Sequence, residues 1–214
     1  MNPETLRILL IFGLLGLVVA RNIRGFVLFL RPGAVRFRPL GASAELEEPA
    51  VRLMARELGE LGFSSVGTVL ERRPLSPSVP QSVHANDKGD FGVVFPVGRD
   101  AWLYFLSEPR PGSFVLTADH RFPSSQRENY RTGGLPDASP EEVYRAHRRQ
   151  VERVGEGGGG AAPELATYLD AAGRFFAKGP GREDLRRRSM RGFLFASAAL
   201  VWGAMTFWQL FLNR

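Results

Sequence analysis

The apolar positions of this chain are concentrated at its two ends, with a mixed, alternating pattern between them. Residues 193–212 carry no charged side chain. A helix of that length, rising 1.5 Å per residue, covers about 30 Å, the hydrocarbon thickness of a bilayer. Trp202 lies within the run, and Trp208 and Gln209 lie near its far end, where aromatic rings favour the membrane interface. The basic residues Arg186, Arg187, Arg188 and Arg191 stand immediately before it. The pattern predicts a membrane-spanning helix entered from a cationic flank.

The N-terminal apolar run, residues 8–20, is shorter and is followed by Arg21, Arg24 and Arg31. Its length also suits the core of a signal peptide, and Val18 and Ala20 resemble a small-residue cleavage site. Two features favour an uncleaved anchor over about residues 3–23. Glu4 offsets Arg7 in the head segment, and the arginines directly after the run resist export. Residues 26–30 (Phe-Val-Leu-Phe-Leu) follow between Arg24 and Arg31. Burying Arg21 and Arg24 in one longer span costs several kcal/mol, so an interfacial segment or a first strand is expected there. Small residues recur in both runs, as Gly13 with Gly16 and Ala199 with Gly203. Such patches let helices pack closely, in an antiparallel pair or in a homo-oligomer.

The stretch between the runs predicts a small domain. Leu46, Ala50, Met54, Leu58 and Leu61 recur at helical spacing, with Glu47 and Glu48 near the start, Pro49 in the first turn and Gly62 as a terminator. Residues 63–73 read as a strand and 74–90, with three prolines, as a loop. Strands follow at 91–95, 101–106 and 113–118, the middle one apolar on both faces and therefore central. Their short connections suit antiparallel hairpins. Ser139-Pro140-Glu141-Glu142 is a capping box opening a helix to about Val154, with a stripe of Val143, His147, Val151 and Val154. A glycine-rich linker at 155–163 leads to an amphipathic helix at 163–178, free to lie on a membrane surface. The expected fold class is α+β: a small antiparallel sheet with flanking helices, between two transmembrane helices. The expected organisation is an anchor at 1–25, a cytoplasmic domain at 26–154, a linker, amphipathic helix and basic juxtamembrane run at 155–191, and a second span at 192–214.

Charge refines this picture. The chain carries a net +6. Residues 40–154 hold sixteen acids and fourteen bases, so the excess lies beside the apolar runs, as the positive-inside bias requires. A nucleic-acid partner needs a basic face on the domain and is not expected. The arginine distribution predicts that the central domain lies on the cytoplasmic side of the inner (cell) membrane. Arg186, Arg187, Arg188 and Arg191 are then expected to meet lipid head groups.

Candidate chemistry is sparse. Without cysteine, thiolate catalysis and Cys-based zinc sites are excluded. The histidines are His84, His120 and His147, in no metal-ligand spacing. His147, between valines, reads as a core histidine. Asp119 and His120 form a possible oriented base, with His84 as a more distant candidate. There is no nucleophile elbow, Walker loop or dinucleotide fingerprint, and no cofactor is expected. Arg127, Tyr130 and Arg131 fall in a polar stretch where an anion or only solvent is expected. Neither run holds an acid or a histidine, which disfavours a transporter.

Leu61-Gly62-Phe63 with Gly67, the apolar strands, and Ser139-Pro140-Glu141-Glu142-Val143-Tyr144 with His147 together resemble an uncharacterised bacterial membrane-anchored domain over about residues 45–154. The resemblance implies domain limits and no activity. The expected role is a non-catalytic accessory, scaffold or sensing subunit, partnered by membrane lipids and by a protein or a second copy of itself. The alternative is a membrane-tethered enzyme acting on a lipid or small anion through His120, Asp119 and His84.

Overall fold

The computed structural model describes residues 3–40, 46, 48–155 and 162–212. Expectations for Glu47 and for most of the glycine-rich linker lie outside these residues. The chain divides into two compact units. One comprises Met1–Ala34, Pro74–Ser76 and Arg182–Arg214, and the other Val35–Arg73 with Pro77–Gly181.

The first unit is a helical pair. Helix α1 runs unbroken over Pro3–Leu30, so residues 26–30 continue the helix and do not begin a strand. A second helix, designated α5, spans Pro180–Phe207 and is followed by a π-helical turn at Trp208–Leu212. Both helices are long and apolar enough to cross a membrane. They pack antiparallel. A Cβ placed on Gly25 would stand 2.9 Å from the Cα of Gly192, while ten residues earlier in α1 a Leu15 methyl lies 3.6 Å from the Cβ position of Gly203. Phe29 stacks on Phe193, and Arg186 sits 4.7 Å from the Phe29 ring centre. Ala196 and Ala199 are buried. Thus Ala199 and Gly203 belong to the α5 contact face, whereas Gly13 and Gly16 meet nothing within 4 Å.

The backbone contact at Gly25 and Gly192 leaves no room for a side chain. Gly192→Leu should therefore force the helices apart at a cost of about 1–3 kcal/mol. A lower thermal midpoint for the full chain in detergent is the expected result. An unchanged midpoint would mean that the crossing does not hold the pair together.

The second unit is built on an eight-stranded sheet: β1 (Arg36–Leu40), β2 (Ser64–Arg72), β3 (Val79–Ala85), β4 (Phe91–Val97), β5 (Asp100–Arg110), β6 (Ser113–Ala118), β7 (Ser125–Arg127) and β8 (Tyr130–Gly134). The spatial order is β1-β2-β3-β4-β5-β6-β8-β7. Every pairing is antiparallel except β6 with β8, which is parallel. The α+β class and mostly antiparallel sheet agree with the sequence reading, and the central position of β5 does too.

Three predicted loops or gaps are strands. Part of the proline-rich stretch forms β3. Proline removes a ladder donor and is tolerated where pairing stops. Pro80 pairs with Leu70 of β2, but β4 pairs only with residues 82–85, so the proline nitrogen interrupts nothing on that side. Strand β1, with two arginines and Pro39, has the composition of an edge strand, and it forms one edge of the sheet. Residues around Arg127, Tyr130 and Arg131 form the other edge, β8 and β7.

Helices cover both sheet faces. Helix α2 (Pro49–Glu60) and α3 (Pro140–Val154) pack on one. Their core is Val51, Leu58, Phe63, Val94, Leu103, Phe105 and Val143. Gly92 admits Leu58, whose methyl lies 3.2 Å from where a Cβ would stand. The α3 capping box forms as read, with the Ser139 hydroxyl accepting from the Glu142 amide and the Glu142 carboxylate accepting from the Ser139 amide.

Helix α4 (Leu165–Ala172) and the π-helical segment Gly173–Lys178 after it cover the opposite face. Tyr168, Ala172 and Phe175 join Val69, Val83, Phe91, Val93, Tyr104, Leu106 and Phe114 in one core. The sequence left residues 163–178 free either to pack on the domain or to lie on a membrane surface, and here they pack on the sheet. The sheet supplies the reason. Alternating side chains from six strands make an apolar second face, and Gly67, at φ +138° in a β-bulge, lets Leu165 approach to 3.0 Å of the Cβ position. A side chain other than glycine would be strained there and would collide.

Candidate functional site

Asp119 and His120 follow the end of β6 and are brought together. His120 Nδ1 lies 2.9 Å from Asp119 Oδ1. The second carboxylate oxygen accepts from the Leu103 amide at 2.9 Å, and the Asp119 amide donates to the Leu103 carbonyl. The aspartate therefore extends the β5–β6 ladder by one step beyond its last residue. The imidazole stacks on Trp102 at 4.4 Å and meets Phe95 and Phe122 edge-on. The pair is an oriented imidazole held in an aromatic cluster at the end of the sheet.

His84 does not join it. Val83 and Ala85 point into the core beneath α4, so His84 between them lies on the opposite face. Tyr104 lies in the α4 core, so Trp102, two residues earlier, shares that face, and His120 stacks upon it. The register aligns His84 with Gly92, Phe105 and Thr117, which puts it three strand spacings, about 14 Å, from β6. His84 instead contacts the Ser82 hydroxyl at 3.0 Å, and burial lowers its pKa to about 4, which keeps it neutral near pH 7. His84, Asp119 and His120 cannot form one hydrogen-bonded constellation.

The most connected polar cluster was only partly foreseen. His147, a core histidine as expected, bridges α3 to two strands. Its Nε2 lies 2.7 Å from Ser107 Oγ and its Nδ1 3.1 Å from Thr117 Oγ1. Ser107 Oγ lies 2.5 Å from Asp90 Oδ1. The other Asp90 oxygen receives the Tyr144 hydroxyl at 2.9 Å and the Arg148 guanidinium at 3.3 Å, and Asn86 donates to Tyr144.

Aspartate, serine and histidine in contact suggest nucleophilic catalysis, but the proton positions oppose it. A carboxylate only accepts, so the single Ser107 proton goes to Asp90. The serine then accepts from His147 Nε2–H, and Nδ1 accepts from Thr117. An activating base must take the serine proton, and this imidazole gives one to the serine instead. Ser107 and His147 are also buried. Burial lowers the His147 pKa to about 4. Burial and the Asp90 charge raise that of Tyr144. The cluster ties α3 to the sheet. The stripe that revealed His147 contained no signal for Asp90 or Ser107, which the fold brings to it from the β3–β4 turn and from β5.

A second polar cluster lies beneath α4. Gln81 donates to Glu71 at 2.6 Å, the Tyr104 and Tyr168 hydroxyls meet at 2.8 Å, and Tyr168 reaches Gln81 at 3.3 Å. Arg73 pairs with Glu71. These bonds satisfy the polar tips of aromatic side chains otherwise committed to the core.

One cleft of about 230 Å³ opens between α3 and the β8–β7 edge, lined among others by Arg131, Gln126, Gln150, Ser124, Gly133 and Leu135. Tyr130, next to Arg131, points the other way, into the core against Phe175. Among the described residues, no group of three or more His, Asp or Glu side chains is placed to hold a metal ion.

No protein-family model, curated protein or solved structure matches the chain. The resemblance over residues 45–154 therefore brings no activity to it.

Proposed function

We propose that this chain is an integral membrane protein of the bacterial inner membrane, a non-catalytic accessory, scaffold or sensing subunit whose α+β domain lies in the cytoplasm and binds a partner protein. The observation that carries this reading is the surface of α1 and α5. Of nineteen exposed large apolar side chains among the described residues, seven lie on α1, eight on α5 and one, Trp208, on the π-helical turn that follows α5. Leu10, Leu14 and Leu17 of α1 are each more than 60% exposed, as is Trp202 of α5. Water would penalise such a surface by roughly 25 cal/mol per Å², and lipid would not. Arg186, Arg187, Arg188 and Arg191 at the base of α5 supply the cationic flank, each worth about 1 kcal/mol against anionic head groups. Glu183 pairs with Arg187 at 3.0 Å and offsets part of that charge. The separation of His84 from Asp119 and His120 removes the constellation on which a tethered enzyme would rely.

The test is membrane fractionation of the full chain, combined with reporter fusions at both termini. The chain should stay with the membrane through alkaline carbonate extraction, with both termini outside, and neutralising Arg186–Arg188 should weaken or invert the second span. Recovery as a soluble monomer without detergent would overturn the reading. A detergent pull-down that recovers no stoichiometric protein, with the chain monomeric, would overturn the partner-binding part alone.

A further inference from the structure

We infer that the cleft between α3 and the β8–β7 edge binds a small oxyanion, a carboxylate or a phosphate, on the guanidinium of Arg131. This inference is independent of where the two apolar helices sit. Helix α3 packs mainly on β5 and β6, and the β8–β7 edge lies beyond them. The space that results is about 230 Å³, below the roughly 300–1,000 Å³ of sites for drug-sized ligands. This suits a small organic acid or a phosphate.

The lining sets the charge of the occupant. Arg131 is its one charged residue, and no aspartate or glutamate among the lining residues competes for it. One arm of the guanidinium, Nη1, makes a long 3.4 Å bond to Gln150 Oε1. Nε is buried and has no partner among the described residues. Nε and Nη2 form the parallel edge that engages two oxygens of a carboxylate or phosphate side by side. Buried donors in folded proteins are normally satisfied, so an orphan donor on a residue that lines a cavity is met once the side chain shifts to place it against a bound anion.

The remaining lining fits a ligand with a polar head and a short apolar body. Gln126, Gln150 and Ser124 supply neutral polar groups, while Leu135, Phe122 and Ala146 supply apolar surface. Gly133 keeps the floor low. A Cβ there would meet only Ser124 Oγ, at 4.0 Å, so the space above it is open.

Isothermal titration calorimetry on the full chain in a mild non-ionic detergent tests this, with inorganic phosphate and succinate as probes and glycerol as a neutral control. At least one anion should bind saturably and glycerol should not. Arg131→Gln should weaken that binding by about tenfold or more, as expected for loss of a charge-assisted bidentate pair. Gly133→Val should do the same by filling the floor while leaving the charge in place. Thermal melts without probe report whether each variant folds, and if one does not, the other decides. Absence of saturable binding up to about 10 mM, an affinity of less than about 3 kcal/mol, would overturn the inference. So would a folded Arg131→Gln variant that binds as tightly as the parent, because the arginines beside α5 would then account for the signal.

Discussion

Replacing Phe175 by alanine is expected to destabilise the α+β unit by about 3–5 kcal/mol, the usual cost of removing a buried phenylalanine. Its ring has no exposed surface and contacts Phe114, Tyr130 and Phe176 at centroid distances of 4.6–5.8 Å. The removed atoms lie where the second sheet face meets the segment after α4. Leu53→Ala, on the exposed face of α2, serves as the control and should change stability by less than about 0.5 kcal/mol. Urea unfolding of the full chain in detergent, followed through tryptophan fluorescence, gives the comparison. Should Phe175→Ala behave like Leu53→Ala, residues 165–178 would not be core, and the membrane-surface role allowed by the sequence would be restored.

Acid should weaken the same unit between about pH 6.5 and pH 4. His84 and His147 are both buried, and burial lowers each pKa from 6.5 to about 4. Above pH 6.5 neither state binds these protons, and the histidines add no pH dependence. As pH falls below 6.5 the unfolded chain takes up protons that the folded chain refuses. Stability therefore drops, and the loss levels off once the folded histidines titrate near pH 4. A shift from 6.5 to about 4 corresponds to roughly 3 kcal/mol for each histidine, a large part of ordinary domain stability. Urea midpoints at pH 7, 5.5 and 4 should fall in that order. His147→Gln leaves a neutral hydrogen-bonding side chain and should remove about half of the slope. A flat profile would show that water or a rearranged network reaches these imidazoles.

The legible parts of the sequence were those where local chemistry decides the outcome. The Ser139 capping box needs only residues within one turn of one another. Helix α2, the hairpin strands β4, β5 and β6, and the apolar character of α1 and α5 each follow from a period written into consecutive residues. His147 was recognised as core because its valine neighbours recur on the same stripe.

What escaped was decided by partners distant in the chain. Strand β3 has a polar alternation and a proline, and only its place between β2 and β4 makes it a strand. Strands β1 and β8 are edges, which carry charge and polarity and so resemble loops. The glycines at 25 and 192 are separated by most of the chain, and neither indicates the other. Asp119 and His120 were visible because they are adjacent. The exclusion of His84 from their company is a matter of sheet register and face.

The sequence by itself determined the two apolar helices with their cationic flanks, the α+β class, and the local helix signals, because hydrophobic period, charge placement and capping act over a few residues. The tertiary structure alone decided that residues 165–178 cover the second face of the sheet, that Asp90, Ser107 and His147 meet, and that an unpartnered Arg131 nitrogen lies beside a cleft. Each of these depends on strand order, and strand order is set by which faces bury each other most completely, a property of the whole fold.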